Sequence, residues 1–129
     1  MKAIIVDDER LARMEMRRLL AAHADVQIVG EAADVATAKA MIEDLNPDLV
    51  FLDIQMPDGT GFDVLGQLAD APDVIFTTAF DNYAMQAFEA NALDYLLKPI
   101  DPNRLTMALQ KIKSPVETQE RPVLPALGR

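Results

Sequence analysis

Four stretches of this 129-residue chain end an apolar run on a group suited to metal or phosphoryl chemistry. Asp7 and Asp8 follow Ile4-Ile5-Val6, and Asp53 follows Leu49-Val50-Phe51-Leu52. Thr78 closes the run 74–78, and Lys98 follows Tyr95-Leu96-Leu97. Three carboxylates brought together repel one another and hold their protons more tightly unless a cation neutralises them. Oxygen ligands without His or Cys favour a hard ion, and Mg²⁺ suits a site with few protein ligands and several waters. One such carboxylate can serve as nucleophile for a phosphoryl group. The metal offsets charge on the transferred group, while a lysine and a hydroxyl hold its equatorial oxygens. Each residue also has a plainer reading. Asp7-Asp8 can be a helix cap, Asp53 before Pro57 and Gly59 can be turn chemistry, Thr78 can continue a strand, and Lys98 can be a solvated charge. Four alternating units that each bring a polar group to one edge favour the joint reading.

The elements that must place these groups follow from periodicity. Short β-rich runs occur at about 2–7, 26–32, 48–53, 74–78 and 92–97, separated by segments of helical spacing. Ala12, Met16, Leu19 and Leu20 make one apolar stripe, and Ala38, Met41, Ile42 and Leu45 another. Leu105, Ala108, Leu109 and Ile112 repeat that spacing behind Asp101 as N-cap and Pro102 at the first helical position. Phe62, Leu65 and Leu68 mark a shorter helix, and residues 82–90 a fourth in chain order. Five strands alternating with five helices predict an α/β fold, a doubly wound parallel sheet covered on both faces. In such a sheet, ligands bind outside the carboxyl ends of the strands, which is where the polar groups fall.

Composition narrows the rest. The length is that of one ordinary domain, and half of the residues are apolar. No cysteine is present, so no disulfide, thiolate nucleophile or zinc–sulfur site is available, which fits a reducing cytosol. No apolar run is long enough for a signal peptide or a membrane span. The net charge of −9 argues against nucleic-acid binding by this segment itself. From about residue 114, Pro115, Pro122 and Pro125 interrupt a polar stretch without periodicity. The expected organisation is a folded domain over 1–113 and a linker or tail over 114–129 leading to a further domain.

The runs Ile4-Ile5-Val6-Asp7-Asp8-Glu9 and Pro47-Asp48-Leu49-Val50-Phe51-Leu52-Asp53-Ile54-Gln55-Met56-Pro57 resemble bacterial response-regulator receiver domains. Gly61, Thr78-Ala79 and Tyr95-Leu96-Leu97-Lys98-Pro99 extend the resemblance over roughly 2–112. It implies the five-stranded flavodoxin-like receiver fold, strand order 2-1-3-4-5, and a switch driven by a partner sensor histidine kinase. Carried over by position, Asp53 is the phosphoacceptor, Asp8 a direct Mg²⁺ ligand, and Asp7 one acting mainly through water. Asp53 and the Gln55 carbonyl complete the metal set. Thr78-Ala79 and Lys98 bind the phosphoryl group, Tyr95 swings inward behind Thr78, and the bond before Pro99 is cis. Gln55 and Phe80 flank the site at positions that tune phosphate lifetime. Leu11-Ala12-Arg13, Ala79-Phe80-Asp81-Asn82-Tyr83-Ala84 and Ala92-Leu93-Asp94 look most like LytTR-type transcription regulators. Those carry a C-terminal DNA-binding domain, which this chain does not supply. Arg10 and Thr60 depart from the usual text, where proline and an acidic residue are common.

The resemblance further implies a cytoplasmic protein that dimerises on phosphorylation. Tyr83, Met85 and Phe88 do not share one stripe with Ala84 and Ala87, so apolar area should stay exposed there as an interface candidate. Arg10, Arg13, Arg17 and Arg18 of the first helix read either as a solvated face or as a kinase-docking surface. His23 reads as structural or surface, and the seven methionines as core filler. Two other classes compete. Haloacid-dehalogenase phosphatases use a strand-end Asp with Mg²⁺ but need a second carboxylate two residues on, where this chain has Gln55, so no enzyme is expected. A flavodoxin needs a hydroxyl- and Gly-rich phosphate loop, which Asp7-Asp8-Glu9 opposes. A stand-alone receiver acting by protein contact is the alternative to a transcription regulator.

Overall fold

Alternation along the strands divides the core into two layers. Ile4, Val6, Val50, Leu52, Val74 and Phe76 belong to one buried cluster, and Ala3, Ile5, Leu49, Phe51 and Ile75 to the other. Successive strand side chains point to opposite faces, so an uninterrupted apolar run requires cover on both. The computed structural model describes residues 1–112 and shows that arrangement; the expected linker over 114–129 lies outside the described residues. Strands β1 (Lys2–Val6), β2 (Gln27–Ala32), β3 (Leu49–Asp53), β4 (Asp73–Thr78) and β5 (Asp94–Leu97) form one sheet. All neighbours are parallel, in the order β2-β1-β3-β4-β5. Helices α1 (Arg10–Leu20), α2 (Val35–Leu45), α3 (Gly61–Gly66), α4 (Ala84–Glu89) and α5 (Pro102–Leu109) connect them. Residues of α2, α3 and α4 join the first cluster, and residues of α1 and α5 the second. Fully burying a side chain such as Phe51 or Phe76 contributes up to roughly 3 kcal/mol.

Local chemistry sets the helix starts. Asp34 accepts from the Thr37 amide at 2.7 Å, and Asp101 accepts from the Arg104 amide at 3.0 Å with Pro102 at the first turn. Thr60 and Asp63 form a reciprocal capping box at α3. Thr60, unusual for the family resemblance, therefore has a structural task here. Asn46 ends α2 in the left-handed region at φ 51°.

Several expectations shift. β5 begins at Asp94 rather than 92, and α4 at Ala84 rather than 82, because Ala92 lies in the segment between them and Tyr83 in the turn that enters α4. Leu68 lies beyond α3 yet still packs on the core. The methionines are not all filler: Met16 and Met56 are buried, whereas Met14, Met85 and Met107 are exposed. Met14 and Met107 sit on helix faces turned from the sheet, and Met85 stands on a helix whose buried residue is Ala87 alone. His23 is half-buried with Nε2 3.5 Å from Thr106 Oγ1. Among the described residues, no helix is long and apolar enough to cross a membrane.

Candidate functional site

Strand register assembles the polar edge. Val6 pairs with Leu52 and Asp53 with Thr77, so Asp7 and Asp53 leave adjacent strands at one level. Thr78 pairs with Leu97, which puts Lys98 one residue beyond, its amide donating to the Thr78 carbonyl at 2.8 Å. The Lys98–Pro99 peptide is cis. One carboxylate oxygen from each of Asp7, Asp8 and Asp53 lies within 4.8 Å of the others. Lys98 Nζ stands 2.7 Å from Asp7 Oδ2 and 3.6 Å from Asp53 Oδ1. Asp7, Asp53 and Thr78 are buried, while Asp8 is exposed. A cleft of about 260 Å³ opens over the cluster, lined by Asp8, Glu9, Asp53, Gln55, Thr78, Ala79, Phe80 and Lys98.

Electrostatics follow from that crowding. Burial and then the Asp7 charge push the Asp53 carboxyl up to about 7, against the opposing pull of Lys98. Burial disfavours the Lys98 ammonium, but its bond to Asp7 and the Asp53 charge outweigh it and raise its pKa. The site is short of positive charge. An all-oxygen donor set with that deficit fits a hard divalent cation.

The segment after Asp53 is held tightly. The Ile54 amide donates to Asp53 Oδ1 at 2.9 Å, and Gln55-Met56 pairs antiparallel with Gly59-Thr60. Asp58 at the tip accepts from the Val35 and Ala36 amides, so the loop caps α2 as well. Gly61 must lack a side chain, because a Cβ there would stand 2.6 Å from the Asp53 carbonyl oxygen and 3.0 Å from Leu52.

Across the cleft, Thr78 Oγ1 accepts from the Phe80 amide at 3.2 Å. Tyr95 is half-buried; its hydroxyl donates to the Phe80 carbonyl and accepts from the Tyr83 amide at 3.2 Å. Gln55 Nε2 donates to the Tyr83 hydroxyl at 2.8 Å. Tyr83 also lies edge-on to Phe80 and near Phe62. Of the three interface candidates, Tyr83 is thus tethered and half-buried, whereas Met85 (70%) and Phe88 (78%) are exposed.

Residues 3–110 match the family model described as the response regulator receiver domain. The chain belongs to that family. Relatives of the receiver include the sensory transduction protein LytT of Bacillus cereus, 44% identical over 92% of this chain and 50% of LytT. The transcriptional regulatory protein BtsR of Salmonella typhi is 45% identical over 96% of this chain and 53% of BtsR. The chain therefore spans about half the length of these curated relatives. Among solved structures, the response regulatory domain of mrkE from Klebsiella pneumoniae superposes with TM-score 0.78 at 38% identity, covering 86% of this chain and 93% of that one.

Some contacts around the cleft have no counterpart in periodicity or motif spacing. Glu9 lines the cleft, with its amide bonded to Asp7 Oδ1 at 2.9 Å. Its signal was its place directly after the acidic pair. The Gln55–Tyr83 bond joins residues 28 positions apart and left no trace in local pattern. Three of the four α1 arginines, Arg10, Arg17 and Arg18, are exposed, and Arg13 is half-buried. Arg13 and Arg17 both pair with Glu31, Arg18 pairs with Glu15, and Arg10 is exposed.

Proposed function

We propose that this receiver accepts a phosphoryl group from a sensor histidine kinase onto Asp53 in the cytoplasm, with Mg²⁺ held by Asp7, Asp8, Asp53 and the Gln55 carbonyl. The observation that carries this reading is the convergence of three carboxylates with Lys98 at 2.7 Å from one and 3.6 Å from another. When bound, Mg²⁺ supplies neutralisation of the carboxylates and of the incoming phosphoryl oxygens. Asp53 is the nucleophile, and Lys98 exchanges part of its pairing with Asp7 for a phosphoryl oxygen. Thr78 releases the Phe80 amide to bond a second oxygen, with the Ala79 backbone beside it. Gln55 and Phe80 at the cleft's rim govern how water reaches the phosphoryl group. The chain acts as a switch and not as a turnover enzyme, since Gln55 stands where an acid/base carboxylate would be needed.

The signal leaves through the loop before α4. Moving Thr78 disturbs the Phe80 segment that Tyr95 and Tyr83 hold, shifts Tyr95 inward, and re-forms the surface around Met85 and Phe88 for a symmetric dimer. The domain ends near residue 113, and 114–129 lead to a LytTR-type DNA-binding domain through which the protein regulates transcription. Names such as BtsR and LytT among relatives roughly twice as long support that reading. Beryllofluoride, which mimics a phosphoryl group, tests it. Sedimentation should show dimers with Mg²⁺ and beryllofluoride together, and monomers with either alone or with Asp53→Asn. A monomer under every condition at high concentration contradicts the dimer output.

A further inference from the structure

We propose that Arg13 is a positioning residue for the metal site, acting through the main chain from which Asp8 projects. The inference rests on the Mg²⁺ reading above. Each polar group of Asp7 has a partner. Its amide donates to the Ala32 carbonyl at 3.0 Å, Oδ1 accepts from the Glu9 amide, and Oδ2 faces Lys98. The Asp7 carbonyl, one bond from Asp8, accepts from Arg13 Nη1 at 2.6 Å. Arg13 Nε donates in turn to Glu31 Oε1 at 2.9 Å, on β2. The Arg13 side chain, only 16% exposed, thus bridges β2 to the turn that carries the acidic pair.

A guanidinium suits this task because its donors diverge in one rigid plane, so a carboxylate and a carbonyl can be held at once. An ammonium is a point charge and cannot span both with the same geometry. Arg17, one turn later, reaches the same Glu31 but has no bond to Asp7, and Arg18 pairs outward with Glu15. The two neighbours therefore share Arg13's charge, helix and, for Arg17, its carboxylate, without its contact to the site. Partners that orient metal ligands typically account for 10- to 100-fold in metal affinity.

The test is the Mg²⁺ dissociation constant of the full chain by calorimetry for wild type, Arg13→Ala, Arg13→Lys and Arg17→Ala. Thermal melts in EDTA accompany each variant to show that it is folded at the temperature used. Arg13→Ala should bind Mg²⁺ about tenfold more weakly, Arg13→Lys about threefold more weakly, and Arg17→Ala within about twofold of wild type. Equal affinities in Arg13→Ala and Arg17→Ala overturn the inference. If Arg13→Ala does not fold, unchanged affinity in Arg13→Lys overturns it. A pure kinase-docking role for Arg13 would slow transfer from the kinase and leave the Mg²⁺ constant unmoved, which also overturns it. Wild type failing to bind Mg²⁺ overturns the metal reading itself, and the inference with it.

Discussion

Removing the charge of Asp53 should stabilise the metal-free protein. Its carboxyl rises from 3.8 to about 7, chiefly through burial and then the Asp7 charge. Between those values the folded state keeps a proton that the unfolded state has lost. The contribution of Asp53 to stability is therefore full below pH 4 and is lost as pH rises through about 7. At about 1.36 kcal/mol per unit, the shift sets an upper bound of about 4 kcal/mol. The open cleft lets solvent relax around the charge, so about half of that, ~2 kcal/mol, is the expected gain for Asp53→Asn at pH 8. For a domain of this size, that gain raises Tm by about 8 °C. The assay is thermal and urea unfolding followed by far-UV circular dichroism in EDTA, at pH 8 and pH 4.5. The gain should shrink strongly at pH 4.5, where the folded wild type already carries the proton. Adding Mg²⁺ at pH 8 should stabilise wild type more than the variant. A variant less stable than wild type at pH 8, or a gain equal at both pH values, would show that burial and Asp7 do not raise the Asp53 carboxyl in the folded protein.

Other substitutions probe the supports. Gly61→Ala drives a Cβ to 2.6 Å from the Asp53 carbonyl, so it should cost about 1–3 kcal/mol, measured by urea unfolding. Tyr95→Phe leaves the Tyr83 amide and Phe80 carbonyl without their partner; hydrogen exchange at Tyr83 should speed up about fivefold, the equivalent of a ~1 kcal/mol bond. Asp94 is drawn down to about 2; burial works against its charge, but Arg104, the Tyr95 amide and Lys111 prevail. Asp94→Asn should cost about 1 kcal/mol at pH 7, discounted because both cations are partly solvated, and the cost should fade as pH drops from about 4 to 2. Asp58→Ala, which removes the cap on Val35 and Ala36, should lower Tm in a differential scan.

The sheet was legible because its strands are written as uninterrupted apolar runs ending in charge. Ile4-Ile5-Val6 before Asp7 and Leu49-Val50-Phe51-Leu52 before Asp53 state both the burial and the edge at which it stops. Parallel register then sets Asp7 and Asp53 at one level, with Thr78 one residue and Lys98 two residues beyond it at the same edge. Side-chain commitments were not legible. Whether Tyr83 faces solvent or Gln55 depends on a loop geometry that periodicity does not encode. The four arginines of α1 look alike in sequence, yet partners on β2, on the β1–α1 turn and on α1 itself divide them. Met85 and Phe88 stay exposed because α4 is only six residues long and buries Ala87 alone.

In the proposed function, Asp53 takes the phosphoryl group in a Mg²⁺-dependent step. Incubation with acetyl phosphate, followed by intact mass spectrometry, tests it directly. Wild type with Mg²⁺ should gain the mass of one phosphoryl group, and neither wild type in EDTA nor Asp53→Asn with Mg²⁺ should gain it. No adduct on wild type, under conditions that label another receiver, or an adduct that persists in Asp53→Asn, would contradict the account.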